Sequence, residues 1–200
     1  MSAAEPRRAL LRITAGLCLV ALAAPAAPAR AAAPSRSAVR VRVPDLDVTN
    51  ESGQTRRFLS GVIGDRLAAI TFTYTSCTTI CPVLEGIFQT LQKRLGERLG
   101  KEVLLITLTI DPANDIPARL KAHAQDLRAR PGWTFLTGTK DNVTSILKGL
   151  EVYSPDLFNH PPTVFVVDGR RGAWNRLYGF PSASVVEGLL DELRAARAKT

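Results

Sequence analysis

The sequence predicts an α/β sandwich, a mixed central sheet flanked by helices, and two observations carry that expectation. Strand-length apolar runs such as Leu67–Tyr74 (LAAITFTY) and Val103–Ile110 (VLLITLTI) alternate with stretches in which apolar residues recur at three- and four-residue steps. The 200-residue chain is also 46% hydrophobic and 22% charged, the balance of one globular domain rather than of a disordered or fibrous chain.

The first segment stands apart from that pattern. Arg7, Arg8 and Arg12 precede an uncharged stretch from Ile13 to Pro28, and Ala29-Arg30-Ala31 supplies the small–x–small pattern a signal peptidase accepts. Residues 1–31 are therefore expected to be an export signal, with an uncleaved anchor as the alternative. The apolar stretch is broken by Pro25 and falls short of the ~20 residues a spanning helix needs. Loss of this segment lowers the formal charge from +8 to +5 and removes Met1 and Cys18. Two cysteines, two histidines and no methionine remain, which excludes methionine-rich copper sites and four-cysteine zinc sites. Outside the cytoplasm, cysteine pairs can oxidise.

Residues 32–43, with Pro34, Ser35 and Ser37 beside Arg36, Arg40 and Arg42, read as a basic linker ahead of a single domain at 44–200. Leu46–Thr49 and Arg57–Leu59 flank a Glu51-Ser52-Gly53 turn and suggest a short hairpin. Leu67–Tyr74 is a central strand. From Val83 to Leu99 the spacing of Leu84, Ile87, Phe88, Leu91 and Leu95 marks an amphipathic helix that Gly100 ends. Val103–Ile110 is a second buried strand, and Asp115 is placed to cap a helix over Ile116–Arg130. Thr134–Leu136 is a short strand and Lys140–Leu150 a helix. Strands at Thr163–Val167 and Trp174–Tyr178 follow, and Ser184-Val185-Val186-Glu187 opens the last helix with a capping-box pattern. Tyr74, Phe88, Phe165 and Phe180 fall at core-like positions. A central strand, a cysteine loop, a helix, then a late hairpin and a closing helix form the layout of a thioredoxin-like domain.

The chemistry concentrates between the first central strand and its helix. Thr75-Ser76-Cys77-Thr78-Thr79-Ile80-Cys81-Pro82 lies at a strand's carboxyl end, where open α/β sheets collect ligands. Pro82 disfavours helical geometry at Cys81 and suits the first turn of the helix behind it. Both thiols then sit near a helix N-terminus, whose partial positive charge favours thiolate. Such a pair can close a small disulfide or present two sulfurs to one metal, unless both cysteines are merely structural. His123, between Leu120 and Leu127, reads as a structural or half-exposed residue. The basic residues near the N-terminus lack interleaved aromatics, so a solvated or membrane-facing patch is expected and nucleic-acid binding is not.

The C-x3-C-P motif at Cys77–Pro82, Ile110-Asp111-Pro112 with Asp115 and Pro117 behind it, and Asn159-His160 ahead of a strand together resemble the Sco/SenC family of copper-binding, thioredoxin-like proteins over residues 44–195. The resemblance implies that Cys77, Cys81 and His160 are copper ligands and Asp111 a nearby acidic group, while the residues alone read Asp111 equally as a loop-capping carboxylate at the end of its strand. It also implies a periplasmic metallochaperone, free or held at the inner membrane, that assists assembly of the copper centre of a respiratory oxidase or related enzyme. Its partners would be the copper-receiving oxidase subunit, with an upstream copper donor or a thiol reductant. Donor chemistry agrees: two thiolates and an imidazole suit Cu(I), or Cu(II) with an added carboxylate or water. Two features depart from the family pattern. The segment from Tyr153 to His160 is short, and His160 is followed by Pro161-Pro162-Thr163, similar to the proline turn that faces the cysteine pair of thioredoxins. A cis or trans peptide before Pro162 is left open. That turn keeps two other roles in view, a thiol–disulfide oxidoreductase using Cys77 and Cys81, or a redox or copper sensor.

Overall fold

Two parallel seven-residue strands, buried at every position, form the middle of the sheet in the computed structural model, which describes residues 35–157 and 159–199. The expected export signal lies outside the described residues. In chain order the elements are β1 (Arg36–Val39), β2 (Asp47–Asn50), β3 (Thr55–Arg57), β4 (Leu67–Thr73), α1 (Cys81–Leu95), β5 (Val103–Thr109), α2 (Pro117–Asp126), β6 (Trp133–Thr137), α3 (Lys140–Gly149), β7 (Thr163–Asp168), β8 (Ala173–Tyr178) and α4 (Ala183–Arg197). The strands run in the order β1-β8-β7-β4-β5-β6-β2-β3. β4, β5 and β6 are parallel to one another, and every other neighbouring pair is antiparallel. The mixed sheet flanked by helices is thus the architecture the sequence suggests.

Alternation along the strands builds two cores. Leu67 and Ala69 join Leu84, Phe88 and Leu91 of α1 and Val186, Leu189 and Leu190 of α4 on one face. Ala68, Ile70 and Phe72 join Val143, Ile146 and Leu147 of α3 on the other, with Phe58, Val62 and Ile63 from a π-helical turn after β3. Both faces being covered explains why β4 and β5 read as continuous apolar runs.

Several features differ from the sequence reading. Arg36–Val39, inside the stretch read as linker, pairs with β8, and the chain beyond it packs Val39, Val41, Val43 and Leu46 against the α3 core. Gly149 permits that strap, because a Cβ there would lie 2.6 Å from the Arg42 carbonyl oxygen. α2 ends well before Arg130, and Arg128 takes a positive φ of 52°. Phe180, expected in the core, is 47% exposed beyond the end of β8.

β4 ends in the cysteine loop. β5 runs parallel to it and β7 begins beside its carboxyl half, so the segments after β4 and β5 and before β7 meet at one end of the sheet. At that end the buried residues change from aliphatic to Thr71, Thr73, Thr107 and Thr109. Buried hydroxyls call for partners, and the acceptors that Thr73 and Thr109 find in Glu85 and Asp115 shape the site.

Candidate metal and redox centre

Cys77 and Cys81 are free thiols on a tight loop, with the Cys77 N–H donating to the Tyr74 carbonyl at 2.9 Å. Pro82 lies in the first turn of α1, as the motif suggests, but the helix already begins at Cys81, the residue at which Pro82 was expected to disfavour helical geometry. The two sulfurs have opposite environments. Burial would push the Cys77 thiol up, but hydrogen bonds from Cys81, the backbone of Thr79 and Cys81, and the Tyr74 hydroxyl outweigh it and hold Cys77 at about 7. Cys77 is half-buried, and its Sγ also lies 3.8 Å from Thr79 Oγ1. Cys81 is only 1% exposed, and burial together with the Cys77 sulfur pushes it up to about 12. The outer sulfur is the ready thiolate and the inner one the held thiol.

Tyr74 links the cysteines to the histidine. It is buried, and burial and the bond to Cys77 raise its hydroxyl to about 12. Its ring packs edge-on against His160, with centroids 6.3 Å apart. His160 is 8% exposed, and burial lowers its basicity despite the bond to the Pro161 carbonyl, so the ring is neutral near pH 7. Its Nε2 is buried without a hydrogen-bond partner. A neutral imidazole with one uncommitted nitrogen is the form that binds a metal. The peptide before Pro162 is trans, since the described residues contain no cis bond. Among the described residues, no three His, Cys, Asp or Glu side chains are gathered closely enough to hold a metal ion. The structure therefore brings the cysteines together and sets His160 beside Tyr74, without closing a three-ligand shell.

The acidic groups are arranged differently from the sequence reading. Asp111 is spent on its own turn: its side chain accepts from Asn114 Nδ2 at 2.8 Å, and its carbonyl accepts from the Asn114 and Asp115 N–H groups. The buried carboxylate is Asp115, 1% exposed. Rather than capping α2, whose N-cap residue Ile116 has no side-chain cap, it accepts from the Thr75 N–H at 3.1 Å, the Thr75 hydroxyl at 2.6 Å and the Thr109 hydroxyl at 2.5 Å. Asp115 thereby ties the cysteine loop to the end of β5.

With this geometry in place, the comparison with known proteins is decisive on ancestry. The SCO1/SenC family model matches residues 43–187. The chain belongs to the SCO1/SenC family. Over 68 residues it is 39% identical to the SCO1 protein homolog of Bacillus subtilis, a segment covering 34% of this chain and 35% of that one. Over 99 residues it is 32% identical to the mitochondrial protein SCO1 of Saccharomyces cerevisiae, covering 50% of this chain and 32% of that one. The chain spans about half or less of the length of the curated relatives it matches, between 32% and 51% in these and a third relative. Among solved structures it is similar to copper-bound yeast Sco1, with a TM-score of 0.64 at 22% identity, covering 80% of this chain and 96% of that one. It is also similar to a SCO1/SenC family lipoprotein of Bacillus anthracis, with a TM-score of 0.66 at 21% identity, covering 79% and 96%. At such identities the structural likeness shows the fold.

This SCO1/SenC chain carries another buried carboxylate near the cysteine loop that the sequence reading passed over. Glu85, 3% exposed on α1, accepts from the Thr73 hydroxyl at 2.8 Å and pairs with His123 Nε2 of α2 at 2.7 Å. His123 is thus a hydrogen-bond partner of Glu85, its pKa raised by that bond against the opposing effect of burial. The signal was visible: Glu85 sits directly after Leu84, inside the apolar stripe of α1.

Proposed function

We propose that this protein is an exported copper carrier that takes the metal at Cys77, Cys81 and His160 and passes it to a copper enzyme of the respiratory-oxidase class. The observation that carries the reading is the uncommitted Nε2 of neutral His160, buried beside Tyr74, which in turn bonds Cys77. A soft cation such as Cu(I) suits two thiolates and an imidazole, and relatives of this family include the copper-bound yeast protein. A ligand set that closes only around the metal favours transfer over storage, since no tight cage must be broken to release it. Asp111, turned toward Asn114, supplies at most an outer group.

The test is Cu(I) titration of fully reduced and fully oxidised mature protein. The reduced form should retain about one equivalent after desalting, because the thiolates are ligands, and the oxidised form far less. Equal retention would place the metal elsewhere. Export rests on residues 1–31, so protein recovered from the cell envelope should begin near Ala32. A terminus that still includes Ile13–Pro28 would favour an anchored form.

A second reading, thiol–disulfide exchange, is favoured by the unequal sulfurs. The Cys77 thiolate would attack a target disulfide and displace one target thiolate. Cys81, losing its proton, would then attack the Cys77 sulfur, closing the Cys77–Cys81 disulfide and releasing the second target thiolate. An external dithiol would restore the pair. Full exchange activity in a His160→Ala protein that no longer holds copper would show the two roles to be separable.

A further inference from the structure

We infer that the cleft at the end of the sheet opposite the cysteines binds a small amphiphilic anion, a carboxylate carried on an apolar chain, with Arg56 and Arg66 meeting the carboxylate. The cleft shares no residue with the copper site, so the inference stands apart from the carrier reading.

The cavity, about 450 Å³, lies between the β2–β3 hairpin, the π-helical turn after β3 and the amino ends of β5 and β6. Those two strands run parallel to β4, whose carboxyl end bears the cysteine loop, so the cavity sits at the far end of the sheet. Its floor is Val48, Val62, Leu104 and Leu136, all members of the core that faces α3. Val62 and Leu104 keep 9% and 7% exposure, whereas Ala68, Ile70 and Ile106 of the same core keep none. The core is thus left open here. At the end wall Gly100 and Gly132 cross as bare backbone, and a Cβ on Gly132 would collide with the Gly100 nitrogen. An apolar hollow of this size suits a small organic ligand.

Charge decides the class of ligand. Arg56 is the register partner of Val48, so both side chains project from the sheet face that lines the cavity. Among the described residues the Arg56 side chain makes no hydrogen bond or ion pair. Arg66 donates from Nη2 to the Val62 carbonyl at 2.6 Å and from Nε to the Ile63 carbonyl at 3.4 Å, which fixes its guanidinium at the wall. Those carbonyls are neutral and leave its charge uncompensated. Among the described residues no Asp or Glu lines the cleft. The nearby Glu51 carboxylate is committed, accepting from the Thr134 hydroxyl at 3.0 Å and the Phe135 N–H at 2.9 Å. Two unpaired guanidiniums beside an apolar floor complement an anion with an apolar tail. A cationic amphiphile would meet like charge, and a wholly polar anion would leave the floor uncovered.

The experiment titrates decanoate, kept below its micellar concentration, into reduced, metal-free mature protein and follows the backbone amides by heteronuclear NMR. One equivalent should bind with a Kd on the order of 0.1 mM, moving the amides of Gly61, Gly100 and Gly132 and leaving those of Cys77 and Cys81 in place. Decyltrimethylammonium has the same chain and the opposite charge, and acetate has the same head without the chain. Each should bind at least about tenfold more weakly, the scale of one charged contact or of two buried methylenes. Arg56→Gln removes no bond within the protein and should weaken decanoate roughly tenfold, with circular dichroism confirming an unchanged fold. No decanoate binding, shifts centred away from the three glycines, equal binding of the cation, or wild-type affinity in Arg56→Gln would each overturn the site and leave the arginines as guards of the sheet edge. Sedimentation with phosphatidylglycerol vesicles that depends on Arg56, with the amides unmoved by decanoate, would instead assign the arginines to a membrane surface and overturn the small-ligand site.

Discussion

The two halves of the site are held in opposite ways. The cysteine half is pinned by carboxylates: Asp115 takes three donors from Thr75 and Thr109, and Glu85 takes the Thr73 hydroxyl and His123. Among the described residues, the histidine half shows no such anchor. His160 makes one bond to the Pro161 carbonyl next to it, Thr163 Oγ1 donates to that same carbonyl at 3.0 Å, and Nε2 is left without a partner. On the copper-carrier reading proposed above, the pinned half would offer the sulfurs and the less tethered half the imidazole.

The contrast is broken most sharply by removing its strongest anchor. Asp115→Ala deprives three donors of their acceptor and should cost about 3 kcal/mol of stability, measured by urea unfolding. A cost below about 1 kcal/mol would mean the cysteine loop is held by something else. His160→Ala is the complementary change. It should weaken Cu(I) binding roughly 100-fold, about 2.7 kcal/mol, while unfolding shifts by less than about 1 kcal/mol, because Nε2 has no bond to lose. A large stability loss with unchanged copper affinity would reverse the assignment of the two halves.

A third outcome sharpens the inequality between the sulfurs. In reduced, metal-free protein, alkylation of Cys77 by iodoacetamide should rise about tenfold per pH unit and level off above about 7, while Cys81 stays unmodified. Mass spectrometry of the modified sites reads this directly, and two cysteines titrating together would remove the asymmetry. The smallest effect concerns His123. Its folded pKa lies above the ordinary 6.5, so its pair with Glu85 stabilises the fold fully below that value and loses its contribution as pH rises through the raised one. Relative to His123→Phe, wild-type protein should lose stability from pH 6 to pH 8, followed by thermal unfolding. A difference that grows with pH would mean that the histidine is paired in its neutral form.

Much of this was legible in the residues. Continuous apolar runs marked β4 and β5, because strands covered on both faces cannot alternate. The motif from Cys77 to Pro82 placed the sulfurs at a helix start. Arg36–Val39 was not legible as a strand, because four mostly polar residues become one only through the edge of β8. Asp115 reads as a helix cap and Asp111 as the acidic group near the site, and the structure gives them other partners. Which one turns inward is decided by hydroxyls forty and six residues from Asp115, on Thr75 and Thr109. The threonines that close β4 and β5 were the available clue, since buried hydroxyls call for an acceptor. The approach of His160 to Tyr74 depends on how β7 packs beside β4, which no local pattern encodes.

The outermost strands have a consequence for how copies of this molecule meet one another. Among the described residues the sheet is open at both sides, and each open side is a very short strand bearing arginine: β1 with Arg36, and β3 with Arg56 and Arg57. An unpaired strand is a template on which another chain can add its own ladder. Brevity and like charge make that template a poor one. Two molecules approaching edge to edge bring cation against cation over three or four residues, too few to start a shared sheet. The domain can therefore be present at high concentration without recruiting its neighbours into a fibre.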